Sequence, residues 1–158
     1  MAAEQASMLS QHAFFKGLAP EVIDLVASCA QEIAFSAGQY ICHEDDQADQ
    51  FYVLLQGHVA LQISSPGRGA RTFLTVGAGE VFGVNWLVAP YRWTYDAKAL
   101  DDTKAVVLNA VCLRHKCEAD HDLGFELMKR VMPILIERLH HCCPNVEKFI
   151  ARIYMIYN

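Results

Sequence analysis

With 158 residues the chain is long enough for one domain with a sizeable core, and 53% hydrophobic against 20% charged residues excludes a disordered segment. Its net charge of −5 argues against a broad nucleic-acid footprint, which needs clustered Lys and Arg. No apolar run approaches the roughly 20 residues of a bilayer span, and the polar start Met1–Gln11 lacks the basic and apolar parts of a secretory signal. The expected location is therefore the cytoplasm, without membrane contact, and the six cysteines are expected to be mostly reduced there.

The first element predicted is a helix from about Met8 to Ala30, with Pro20 at a helix start and Val22, Leu25, Val26 and Cys29 at helical spacing. Phe14 and Phe15 just before Pro20 are expected to pin this segment to a core. From Glu32 to Leu108 short alternating runs are cut by turn residues. The predicted strands are Ile33–Phe35, Tyr40–Cys42, Phe51–Leu55, Val59–Ile63, Thr72–Val76, Ala97–Ala99 and Ala105–Leu108, a pattern of sandwiches and barrel-like rolls. Gly57 reads as a tight hairpin and Ser64–Ala70 as a flexible outer loop. A broad apolar stripe from Ala119 to Cys142 predicts one long helix, interrupted by Pro133 and opened by Asp120 as N-cap. The division is an N-terminal helical segment (1–30), a β-roll (31–111), a long C-terminal helix region (112–143) and a short tail (144–158), all in one mainly β domain.

Within the roll, Gly79-Glu80-Val81-Phe82-Gly83-Val84-Asn85 has the glycine spacing of a loop that offers backbone N–H groups to an anion. With Phe14-Phe15-Lys16-Gly17-Leu18, Ala37-Gly38-Gln39-Tyr40-Ile41, Glu44-Asp45-Asp46, Asp49–Leu54 and Gly57-His58-Val59, in this order, the chain resembles the cyclic nucleotide-binding domain of Crp/Fnr-type regulators over residues 12 to 142. The resemblance implies a jelly-roll-like β-roll with a long C-terminal helix and a phosphate cassette at residues 79–95. In the family a Glu of the cassette accepts the ribose hydroxyl and an Arg neutralises the cyclic phosphate. Here Val84 stands at the Glu position and Trp93 at the Arg position, with Thr94 and Tyr95 following. Valine accepts nothing and indole offers one neutral donor. Loss of two charged hydrogen bonds, about 1.5–3 kcal/mol each, lowers affinity by orders of magnitude.

The reading that follows is a stand-alone regulatory, ligand-sensing module with a degenerate cassette, non-enzymatic, and a homodimer through its long helix. Cyclic AMP and cyclic GMP are expected to bind weakly or not at all, and no other cofactor is required. Candidate ligand contacts are Gly83, Val84, Asn85, Arg92, Trp93 and Thr94. One alternative is a working sensor of a cyclic nucleotide or other anion, with Arg92 replacing the missing Arg. Against it, neighbours in an extended segment point to opposite faces. The other is a scaffold for a regulatory protein partner, through Met128, Met132 and the aromatic tail. In the transcription regulators the long helix leads into a helix-turn-helix. Here Pro144–Asn158 is too short for one, so direct nucleic-acid binding is not expected.

The remaining motifs read as structural. His140-His141-Cys142-Cys143 is a helix end before Pro144, with an intermolecular disulfide on oxidation as the chemistry open to Cys142 and Cys143. Cys112 is assigned to core packing and His115 to the surface. His43-Glu44 with His58 lacks the histidine spacing of a cupin metal site, and Asp101-Asp102 is a turn between strands. No nucleophile has a base beside it, so no catalytic residue is assigned.

Overall fold

The computed structural model describes residues 2–142 and Met155. Residues up to Gly124 form one compact unit and the chain from Phe125 a second. The polar N-terminus is helical over Ala2–Gln11 (α1), with Leu9 buried, and a short 3-10 helix follows at Ala13–Phe15. The second helix, Pro20–Ala27 (α2), starts at the proline as expected. The single helix predicted from Met8 to Ala30 is thus three pieces. The chain turns at Phe14 and Phe15 to bury both rings, and Phe14 meets Phe51 edge-on at 5.5 Å.

Eight strands follow: Ala30–Phe35 (β1), Tyr40–Cys42 (β2), Gln50–Gln56 (β3), Val59–Ser65 (β4), Gly69–Val76 (β5), Val81–Phe82 (β6), Asp96–Ala99 (β7) and Thr103–Asn109 (β8). They build two antiparallel four-stranded sheets, β1-β8-β3-β6 and β2-β7-β4-β5. Two turn assignments need correction. Gly57 has φ +92, but β3 and β4 lie in different sheets, so its turn passes the chain between sheets and is no hairpin. A methyl group there would lie 2.6 Å from Thr103 Oγ1 and 2.8 Å from Asp102 O, so close approach as well as φ demands glycine. The true hairpin is β4–β5. Its ladder runs to Ser65 opposite Gly69, which leaves little of Ser64–Ala70 as loop.

Strand β3 is buried on both faces because it is flanked by β8 and β6 and covered above and below. Alternation sends Tyr52 and Leu54 into the roll, where they join Phe35, Val76, Phe82, Trp93 and Val107. Phe51 faces the other way, toward Phe14 and Trp86.

Beyond β8 the helical region is two helices, Ala110–Ala119 (α3) and His121–Cys142 (α4). The Asn109 side chain caps α3 by accepting from Cys112 N–H at 2.9 Å. Asp120 separates the two and caps the second, its Oδ1 accepting from Asp122 and Leu123 N–H at 3.1 and 3.3 Å. Along α4 from Phe125 onward, Phe125, Met128, Met132, Leu135, Ile136 and Leu139 are exposed, and Pro133 lies within the helix. The side chains of His141, Cys142 and Cys143, and the tail apart from Met155, lie outside the described residues.

One cysteine pair departs from the expected reduced state. Cys29 and Cys112 form a disulfide across 83 positions of sequence. The register Ala30 opposite Leu108 and the bond from Asn109 N–H to Cys29 O (2.9 Å) bring the two residues together. Cys112 is therefore bonded and half-buried, rather than packed as a free core thiol.

Candidate functional site

The cassette begins where β6 leaves β3. Gly79 N–H donates to Leu54 O and Leu54 N–H to Glu80 O, both at 3.0 Å, which fixes the entrance of the loop to the central strand. Gly83 then takes the left-handed conformation, φ +94, and starts a 3-10 helix over Val84–Leu87. The Ala89–Pro90 peptide is cis. From Tyr91 the chain returns beside Asp45–Ala48: Ala48 N–H donates to Tyr91 O at 2.6 Å, and Trp93 N–H to Asp46 O and Asp45 N–H to Trp93 O at 2.9 Å.

In that extended stretch alternation decides which side chain enters the roll. Trp93 goes in and is 3% exposed. Its ring lies directly over Gly83, where a methyl group would sit 2.6 Å from Trp93 Cη2. Tyr52, Phe82 and Tyr95 surround it, with ring centroids 6.0, 6.3 and 5.7 Å away. Arg92 points out, is exposed, and donates from Nη1 to Asp45 O at 2.6 Å.

Several polar groups of the loop are engaged with one another, while the buried Trp86 Nε1 has no hydrogen-bond partner among the described residues. Gly83 N–H donates to the Tyr95 hydroxyl at 3.1 Å. The Asn85 amide donates to Arg92 O at 3.0 Å and to Thr94 Oγ1 at 3.2 Å. Burial raises the pKa of the Tyr52 hydroxyl, which donates to Gln50 Oε1 at 2.6 Å, and pushes that of the Cys42 thiol up to about 12. Both keep their protons at neutral pH, so neither adds charge to the interior.

Of the residues predicted from sequence, Gly83, Asn85, Trp93 and Thr94 are linked in this one loop, while Arg92 faces away from it. Tyr95, placed in the cassette by sequence but not among the candidate contacts, takes part, and Arg114 was missed. Tyr95 supplies the cap on Gly83. Arg114 of α3 donates from Nη1 to Trp86 O at 2.8 Å and stacks 4.1 Å over the Tyr91 ring. Arg114 carries no local sequence signal, because it reaches the loop from another element.

His43, Glu44 and His58 do not converge. His43 lies 3.5 Å from Asp96, and His58 Nδ1 is 2.7 Å from Asp101 Oδ2. Asp101 is thus more than a turn residue: it also accepts from His58 N–H at 2.7 Å, and these contacts hold its carboxyl below the usual range. Among the described residues no three His, Cys, Asp or Glu side chains gather as a metal site.

Comparison with known proteins agrees with this architecture. The chain spans less than two thirds of each of two curated relatives. The Cyclic AMP receptor protein of Thermus thermophilus is 33% identical over 94 residues, which is 60% of this chain and 44% of that one. A CRP-like cAMP-activated global transcriptional regulator of Mycobacterium tuberculosis is 24% identical over 144 residues, 90% of this chain and 62% of that one. A crystal structure from Geobacter metallireducens GS-15, of a protein assigned to cyclic nucleotide binding, superposes with a TM-score of 0.77. It is 33% identical, over 85% of this chain and 98% of that chain. Among the described residues no helix is long and apolar enough to cross a membrane. The family described as Cyclic nucleotide-binding domain matches residues 32–120, and the chain belongs to that family.

Proposed function

We propose that the chain is a regulatory module of the cyclic nucleotide-binding type whose cassette is degenerate and closed by its own side chains. The observation that carries this reading is the buried Trp93 indole packed over Gly83; on this reading it takes the space that a phosphate held by this turn would need. Two further facts support it. The Gly83 N–H is already bound by Tyr95, and Arg92 is turned outward onto Asp45. On this reading Gly83, Asn85 and Thr94 are engaged by contacts inside the loop, with Val84 between the first two, and the module works in the cytoplasm by protein contact rather than by catalysis.

The exposed apolar side chains of α4 support a homodimer through that helix. Sedimentation is expected to give a dimer that Met132→Glu with Leu135→Glu converts to monomer. A monomeric parent chain at the same concentration would refute the pairing.

The second reading is a working cyclic nucleotide sensor, favoured by the name and 33% identity of the Thermus relative. Calorimetric titration with cyclic AMP, then cyclic GMP, separates the two. The degenerate reading expects neither heat nor thermal stabilisation at millimolar nucleotide. A Kd below about 10 μM would overturn it, and loss of that binding in Arg92→Ala would establish Arg92 as the anion ligand.

A further inference from the structure

The Cys29–Cys112 bond joins the end of α2 to the first turn of α3, and α3 holds the cassette. We propose that this disulfide is a thiol-exchange site whose redox state sets how firmly α3 and the cassette are held. Three observations carry the inference.

The bond is not needed to bring its ends together. At the same junction Ala30 pairs with Leu108, Asn109 N–H donates to Cys29 O, and Asn109 Oδ1 caps the helix at Cys112 N–H. A domain of this size with two sheets has core enough without a cross-link. Opening the bond therefore removes one restraint on α3 and leaves the fold.

Cys112 is the sulfur a reductant would reach. Cys29 is buried but Cys112 is half-buried, and an open surface recess beside them is lined by Glu21, Asp24, Leu25 and Ser28 on one side and Lys116 on the other. Ser28 adjoins Cys29, and Lys116 lies one turn beyond Cys112. The other described cysteines, Cys42 and Cys117, are free thiols whose ionisation is opposed first by burial.

The site is wired to the cassette. Arg114 stands two residues after Cys112 and makes the contacts to Trp86 O and the Tyr91 ring. A change in the freedom of the first turn of α3 therefore reaches the loop at Trp86 and at Tyr91.

The reductant is a dithiol. Its thiolate attacks Cys112 Sγ, the sulfur–sulfur bond breaks, and Cys29 leaves as a thiolate that takes a proton. The second thiol of the reagent then displaces Cys112 and closes its own disulfide. Two electrons and two protons pass to the protein, and the reagent is oxidised by the same amount.

The test is amide exchange of the full chain, oxidised and then in millimolar dithiothreitol, with alkylation and peptide mapping of Cys29 and Cys112. The expected result is mapped pairing in the oxidised chain, reduction without denaturant, and exchange about tenfold faster in residues 84–91 and 110–119, reversed on reoxidation. Cys29→Ser should exchange like the reduced chain and ignore the dithiol. If that variant does not fold, the native chain in dithiol still gives the comparison. Three results would overturn the proposal: unpaired cysteines in the oxidised chain, a bond that opens only in denaturant, or reduction that leaves exchange in both segments unchanged.

Discussion

Truncating Trp93 and its neighbour Arg92 should have opposite weights, because one side chain is packed and the other is solvated. Trp93→Ala removes an indole that is 3% exposed and ringed by Tyr52, Phe82 and Tyr95. Burying that ring and leaving a hole in its place are worth about 3–5 kcal/mol for Trp to Ala. A domain of this size shifts by about 2–4 °C per kcal/mol, so Tm should fall by about 6–20 °C. Arg92→Ala removes one exposed hydrogen bond to Asp45 O. At no more than about 1.5 kcal/mol net, its fall should stay under about 6 °C. Thermal and urea unfolding of both variants beside the parent chain make the comparison. If Arg92→Ala lowers Tm as much as Trp93→Ala, or if Trp93→Ala unfolds within about 2 °C of the parent, then the indole does not occupy the roll and the packing argument fails.

His12 should make stability acid-sensitive. Phe14 N–H donates to its Nδ1 at 3.1 Å, so Nε2 carries the proton and donates to Leu54 O at 3.0 Å. Burial lowers its pKa from 6.5. The unfolded chain therefore binds a proton first, and stability is lost as pH falls through 6.5 and below. Urea midpoints between about pH 7.5 and 5.5 should drop in the parent, and the drop should be smaller in His12→Gln; an equal drop would remove His12 from the account. Gly57→Ala should cost more than Gly38→Ala. Both have positive φ, worth about 1–2 kcal/mol against alanine, but only Gly57 adds a clash, with Thr103 and Asp102, while Gly38 has open space. Equal unfolding midpoints for the two variants would contradict that difference.

The roll was legible in the chain because its strands alternate and its turns carry glycine. Val59–Ile63 and Ala105–Leu108 lie inside observed strands for that reason. Alternation put Trp93 and Arg92 on opposite faces, but which one enters the roll depends on the aromatic rings of Tyr52, Phe82 and Tyr95 around Trp93. Partner choice was not legible. Gly57 announces positive φ, but nothing nearby says whether the next strand stays in the same sheet. The helix at Ala2–Gln11 escaped because its face is weakly apolar and Leu9 anchors it from a distance. Arg114 on Trp86 and Cys29 on Cys112 are contacts between segments far apart, and periodicity carries no information about them.

Leu54 has a consequence for where this protein can be divided. One peptide carbonyl accepts from both His12 and Gly79, so the start of the chain and the start of the cassette share an acceptor. The family match begins at residue 32, after His12 but before Leu54 and Gly79. A fragment trimmed to that boundary keeps every strand except the first residues of β1. It loses His12, uncovers Phe51 where Phe14 had met it, and discards Cys29. The homology boundary and the physical boundary are different places, and residues 2–31 belong to the working unit.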